Sequence, residues 1–238
     1  MKTTISSKIL TVLLSVFMLL QATAYAQQTT AVGTSRVWGT IDGMAIEGLV
    51  QGPATAETPL QVACVFEYTE GDIFNPPALP AQLNGMVHLD QALKGQITEI
   101  RRSGKFAGHY LETLLIVPPT GTLKSPRLLL IGLGNRNSFN ADIMTNVGAV
   151  ALREAVRLGV KSFAFASDIK DAGIDSPTAE TAANITKGII NAYRTQLYLQ
   201  QQRLAPVQPI VKATLLAGPA FFETAGEGIK GAITSCSN

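Results

Sequence analysis

The stretch RLLLIGLGNRNSFNADIMTNVGAVALREAVRLGV, residues 127–160, decides the fold. RLLLI (127–131) is a short, wholly apolar run, as expected of a strand buried on both faces. It ends in Gly132-Leu133-Gly134-Asn135. A helical period follows, with Val147, Ala151, Ala155 and Leu158 on one stripe. Asn140 is the expected N-cap, Asp142 suits the first turn, and Gly159 is the expected stop. KSFAFA (161–166) then reads as another strand. Strand, helix and strand in this order define a βαβ unit.

The same grammar extends both ways. Upstream, ETLLIV (112–117) is a strand stopped by Pro118-Pro119. Met86, Leu89, Leu93, Ile97 and Ile100 mark one helical face, which Gly95 divides. Residues 71–80 carry Pro76, Pro77 and Pro80 and read as an ordered loop or lid. LQVACVFEY (60–68) is a further buried strand. Two runs, 36–41 and 44–50, flank Asp42-Gly43, a strong hairpin signal. Downstream, Ser176-Pro177 opens a long helix, with Pro at its first position and Ala182, Ile185, Ile189, Ala192 and Tyr193 inward. IVKATLLA (210–217) is the last strand, and 220–234 a glycine-interrupted helix. The expected fold class is α/β: three α/β/α layers with a mixed sheet and an N-terminal β-hairpin.

Residues 1–26 read as a secretory signal. Lys2 and Lys8 precede an apolar run that ends near Leu20, and Ala24-Tyr25-Ala26 fits a small-x-small cleavage site. The expected product begins at Gln27, is periplasmic or secreted, and keeps no stable membrane anchor. Residues 27–59 form hairpin and connector, and 60–238 the main domain. The chain of 238 residues is 46% hydrophobic and only 15% charged, a composition for a packed core. Its 19 basic and 17 acidic residues become 17 of each once Lys2 and Lys8 are set aside. With no basic excess or stripe, nucleic acid is not an expected partner.

The chemical inventory is thin. His88 and His109 belong to no spaced ligand set, and no G-x-S-x-G elbow occurs. Cys64 lies in a strand, a poor place for an activated nucleophile, and Cys236 near the end. These two cysteines are either a disulfide closing a long loop or two free thiols. Asp168, Asp171 and Asp175 could gather around a cation, but a solvated turn before the next helix is the simpler reading. No catalytic or metal-ligating residue is expected. Strand ends remain where α/β proteins place ligands, so Gly132, Gly134, Asn135 and Asn140 are the candidate ligand-binding residues. The lone G-x-G lacks the third glycine of a dinucleotide fingerprint.

From about Leu83 onward the chain resembles the N-terminal domain of the leucyl (cytosol) aminopeptidase family. The residues that carry the likeness are GKFAGHYLETLLIVPP (104–119), 127–160, KSFAFA, TAETAANITKGIINAYRTQ (178–196) and ETAGEGIKGAITSCSN (223–238). The resemblance implies a fold related to macro domains. Such domains often bind ADP-ribose, but their adenine-reading aspartate and phosphate loops are not evident here. It also implies that the family's two divalent metals belong to a C-terminal catalytic domain. The signature Asn-Thr-Asp-Ala-Glu-Gly-Arg of that domain is absent from this sequence, and no cofactor is expected. The expected function is therefore an exported, non-catalytic binding or interaction module. Its partner would be another protein, a small ligand or a second copy of the chain. The alternatives are a component of a metal-dependent aminopeptidase that needs a separate catalytic subunit, and a nucleotide-like ligand binder.

Overall fold

The computed structural model of the chain describes residues 29–206 and 210–237. The expected signal segment, residues 1–26, lies outside them. Seven strands among the described residues join in one sheet: β1 (Ser35–Ile41), β2 (Met44–Val50), β3 (Gln61–Val65), β4 (Thr113–Ile116), β5 (Leu128–Gly132), β6 (Ser162–Ala166) and β7 (Lys212–Ala217). Their spatial order is β1-β2-β7-β6-β3-β5-β4. The five inner strands run parallel, and the two edge strands, β1 and β4, pair antiparallel. The hairpin is thus the outer edge of the main sheet, because β2 pairs along its length with β7, from Ala45 opposite Lys212 to Val50 opposite Ala217.

Five α-helices of the described residues cover the two faces: α1 (Gly85–Ala92), α2 (Gln96–Arg102), α3 (Ile143–Arg157), α4 (Thr178–Gln201) and α5 (Phe222–Ser237). Alternate side chains of one strand serve opposite faces. Leu129 and Ile131 join Val147, Ile185 and Ile229 in one core, and Leu128 and Leu130 join Met86, Leu89 and Ile97 in the other. Every residue of β3 and β5 is buried, which is why their sequences show no polar alternation. The result is the three-layer mixed α/β fold.

Gly95, in the left-handed region at φ +80°, separates α1 from α2. The buried Asp90 carboxylate then receives the Thr98 amide at 2.9 Å and its hydroxyl at 2.8 Å, fastening the second helix to the first.

Three local expectations change. Asn140 does not cap α3: its Oδ1 accepts from the Asp142 amide at 3.1 Å, a turn that ends before the helix begins at Ile143. Pro177 precedes the first helical residue of α4 instead of occupying it. The last helix runs unbroken from Phe222 to Ser237. Two of its glycines are packing devices: a Cβ on Gly226 would lie 2.2 Å from the Trp38 ring, and one on Gly228 would lie 2.0 Å from the Ala179 carbonyl oxygen. The contact area they allow offsets their weak helix propensity.

No helix of the described residues is long and apolar enough to cross a membrane. Cys64 and Cys236 are both free thiols, the first buried in β3.

Candidate functional site

The four loop residues singled out from the sequence are engaged with the protein itself. Gly132 ends β5, donates its amide to the Glu112 carbonyl at 2.8 Å and accepts from the Leu111 amide at 2.9 Å. A Cβ there would lie 2.0 Å from the His109 carbonyl oxygen, so glycine lets the 108–112 chain cross above the strand. Gly134, at φ +74°, donates to the Gly108 carbonyl at 3.0 Å and accepts from the Glu67 amide at 3.0 Å. Asn135 Oδ1 receives the Asn137 amide at 2.9 Å and caps a single turn of 3₁₀ helix, Arg136–Ser138. Asn140 closes its own turn, as described above. Close backbone approach thus accounts for the glycines, and local turns for the asparagines.

The neighbouring crevice is built from other residues. It opens at the carboxy-terminal ends of β3 and β6, between residues 72–86 and the loop after β6. Cys64, Phe66, Asp72, Asn84, Arg136 and the pair Asp168 and Asp171 all face it. Its enclosed part measures about 20 Å³, room for roughly one water.

Asp168 and Asp171 are not part of a solvated turn. Asp168 retains some surface exposure, yet its carboxyl lies deep among neighbouring atoms. Its Oδ2 accepts from the Cys64 amide at 3.2 Å. Asp171 Oδ2 accepts from the Gly85 amide at 2.7 Å, at the start of α1. Desolvation, and then the charge of Asp171, hold the Asp168 carboxyl well above the usual carboxylate range. Burial raises Asp171 as well, against the opposing effect of the Gly85 amide. Asp175 alone of the three is solvated, paired with Lys170 at 3.0 Å.

Asn84 organises the other wall. Its Nδ2 donates to the carbonyls of Ile73 at 3.2 Å and Asp171 at 3.1 Å, while Oδ1 caps α1 through the Val87 amide at 3.1 Å. Arg136 Nη2 donates to the Ala172 carbonyl at 2.6 Å. Burial, with a smaller push from Asp168, raises the Cys64 thiol, which keeps it neutral and unreactive. His109 lies outside the crevice, exposed, with Nδ1 2.8 Å from Glu67. That hydrogen bond raises its pKa. Among the described residues no group of three or more His, Cys, Asp or Glu is arranged to hold a metal ion.

The family model for the N-terminal domain of the cytosol aminopeptidases matches residues 69–202, more than half of the chain. The chain belongs to the cytosol aminopeptidase family. The match is to its N-terminal domain, and curated relatives agree. A probable cytosol aminopeptidase of Roseiflexus castenholzii is 33% identical over 142 residues, which are 59% of this chain and 28% of that protein. One from Thermosynechococcus vestitus is 30% identical over 128 residues, 52% of this chain and 24% of that protein. The chain therefore spans about a quarter of the length of the relatives it matches. Among solved structures, a tomato leucine aminopeptidase variant superposes with a TM-score of 0.58 at 18% identity, over 84% of this chain and 38% of that one. A macrodomain of Oceanobacillus iheyensis superposes at 0.54 and 17% identity, over 85% of this chain and 98% of that one. At these identities the likeness shows the fold alone. It makes this aminopeptidase-family domain macrodomain-like.

Sequence reasoning missed Asn84, Arg136 and the burial of Asp168 and Asp171. One signal was present: Asp168 falls two residues beyond the end of β6, the end of the sheet where such folds gather polar groups.

Proposed function

We propose that this chain acts as a non-catalytic binding or interaction module of the aminopeptidase family, outside the cytoplasm, after removal of residues 1–26. The observation that carries the reading is the family match itself, which falls on the N-terminal domain. The crevice, at about 20 Å³, falls far below the ~300–1,000 Å³ of ligand pockets, which counts against a nucleotide-sized ligand there. The decisive experiment is an assay of the purified exported protein with leucyl-p-nitroanilide, with and without Zn²⁺ or Mn²⁺. The expected result is no release above the blank under either condition. Metal-dependent release of the chromophore would sink the proposal.

Export is tested separately, by cell fractionation and N-terminal sequencing. The mature protein is expected in the envelope or medium, beginning at Gln27. A cytoplasmic species that still carries Met1 would refute export while leaving the binding role untouched.

A second reading makes the chain the outer lobe of an aminopeptidase whose catalytic part lies on a separate polypeptide. It is favoured by the tomato enzyme, of which this chain's fold covers 38%. Co-elution with a metal-dependent peptidase from native extract is the outcome this reading expects, and elution apart from any such peptidase counts against it.

A further inference from the structure

We propose that this chain associates head to tail with further copies of itself, the amino-terminal pole of one sheet docking on the carboxy-terminal pole of the next. The poles follow from the topology. The five inner strands run parallel, and α3 and α4 each carry the chain back from the end of one strand to the start of another. Both helices therefore begin at the carboxy-terminal pole and end at the amino-terminal one. A helix favours acids in its first turn and bases in its last, so two parallel helices add their preferences at each pole.

Charge is sorted accordingly. At the carboxy-terminal pole Asp142 precedes α3 and Glu180 lies in the first turn of α4, both exposed. Glu70 is exposed there as well, bonded to the Tyr68 hydroxyl, and Glu67 faces His109. The cations of that pole are largely engaged: Arg101 with Asp72, Lys170 with Asp175, and Arg136 with the Ala172 carbonyl. Lys105, beside the Arg102–Glu99 pair, is left over.

At the amino-terminal pole the balance is reversed. Asp42 is matched there by Arg194, Glu47 by Lys212, Glu57 by Lys124 and Glu154 by Arg157. Arg153, Lys161 and Arg203 stay exposed with no carboxylate partner among the described residues. Arg127 donates to the Leu158 carbonyl at 3.1 Å. Lys161 and Arg203 lie outside the helices, so the helix dipole alone does not account for them. A chain whose charges cancel in sum is thus polarised from end to end, and a second copy supplies the complement of either pole.

Exposed charge pairs bind weakly on their own, and each pole adds apolar area. Phe74, Leu83 and Tyr110 stand exposed at the carboxy-terminal pole, and Tyr198, Leu204 and Val211 at the amino-terminal one. The Phe74 amide donates to the Gly71 carbonyl at 3.0 Å, next to Glu70 in the chain, and the Val211 amide donates to the Lys161 carbonyl at 2.8 Å. Apolar and charged groups therefore lie side by side at both ends, the make-up of an interface with an apolar centre and a polar rim. Because the two poles differ, the contact is heterologous and leaves a free pole at each end, so assembly continues past the dimer.

Sedimentation velocity of the purified protein tests this. It is run over a range of concentrations at about 0.01 M salt, where the Debye length is about 30 Å, and at about 0.15 M, where it is about 8 Å. At low salt the weight-average mass is expected to climb with concentration beyond that of a dimer, and to return to that of the monomer at the higher salt. Two variants reverse one pole each at exposed positions: Lys161→Glu with Arg203→Glu, and Glu70→Lys with Glu180→Lys. Each alone is expected to stay monomeric, because its two poles then repel. An equimolar mixture of the two is expected to regain association, since each variant now offers what the other lacks. Unchanged thermal midpoints show that both variants are folded. A wild type that is monomeric at low salt, that stops at a closed dimer, or that associates regardless of salt would overturn the proposal, as would a mixture of folded variants that stays apart.

Discussion

Gly188→Ala lowers the thermal midpoint by roughly 6–12 °C, the shift expected when about 3 kcal/mol is lost from a chain of this size. Gly188 lies where α4 crosses α3. A Cβ there would sit 1.9 Å from the Thr145 carbonyl oxygen and 3.0 Å from the Ala149 amide nitrogen. Both are backbone atoms of a helix, so no rotamer can relieve the clash, and the helices must part. The reverse face is equally tight, with Gly148 of α3 against the Ile185 carbonyl of α4 at 2.3 Å for the same added atom. Gly231→Ala is the control. Gly231 is exposed on α5 and has open space around it. Removing a glycine there should stabilise by about 0.5–1 kcal/mol through helix propensity alone. Differential scanning calorimetry of the two variants checks both signs. Equal shifts would show that packing at the α3–α4 crossing is not the cause.

Arg101→Met costs about 3–5 kcal/mol, the usual penalty for breaking a buried ion pair on one side. The Arg101 side chain is 0% exposed and that of Asp72 9%. Its guanidinium also donates to the Phe66 carbonyl at 2.9 Å, at the end of β3. Methionine fills much of the volume but strands both acceptors away from water. Against a typical domain stability of ~5–15 kcal/mol, this loss moves the urea midpoint by a large fraction of its value. Adding Asp72→Asn should recover part of the loss, because the uncompensated charge goes with it. Urea titration of the single and double variants measures that coupling. A double variant no more stable than Arg101→Met would place the cost in lost packing and not in stranded charge.

The fold was legible because its cause is local. Apolar runs such as 128–131 and 162–166, punctuated by Gly159 and Pro118, dictate buried parallel strands whatever lies elsewhere in the chain. Helix ends were less legible. Asn140 offers the same side-chain oxygen to a cap or to a turn, and the choice depends on Ala141, whose carbonyl is held by Asn184 from α4 at 2.9 Å. Gly226 and Gly228 of α5 could not be read either, since their reasons are Trp38 and the Ala179 carbonyl, both far away in sequence. The crevice was the least legible part. Asp168 meets the Cys64 amide across 104 positions and Asp171 the Gly85 amide across 86. Both partners are backbone amides, which every residue but proline possesses, so no motif marks them.

The place of β7 between β2 and β6 governs how the molecule can be made. A chain emerging from the ribosome has produced six strands before residues 212–217 arrive to unite them. Until then the amino-terminal hairpin has no seat, and a two-stranded hairpin alone is marginal in water. During the same interval β2 and β6 both offer open edges to any passing strand. The closing step joins Glu47 to Thr214 across 167 positions, a long loop to close and hence a slow one. The newborn protein is most vulnerable to wrong pairing just before its last strand is finished.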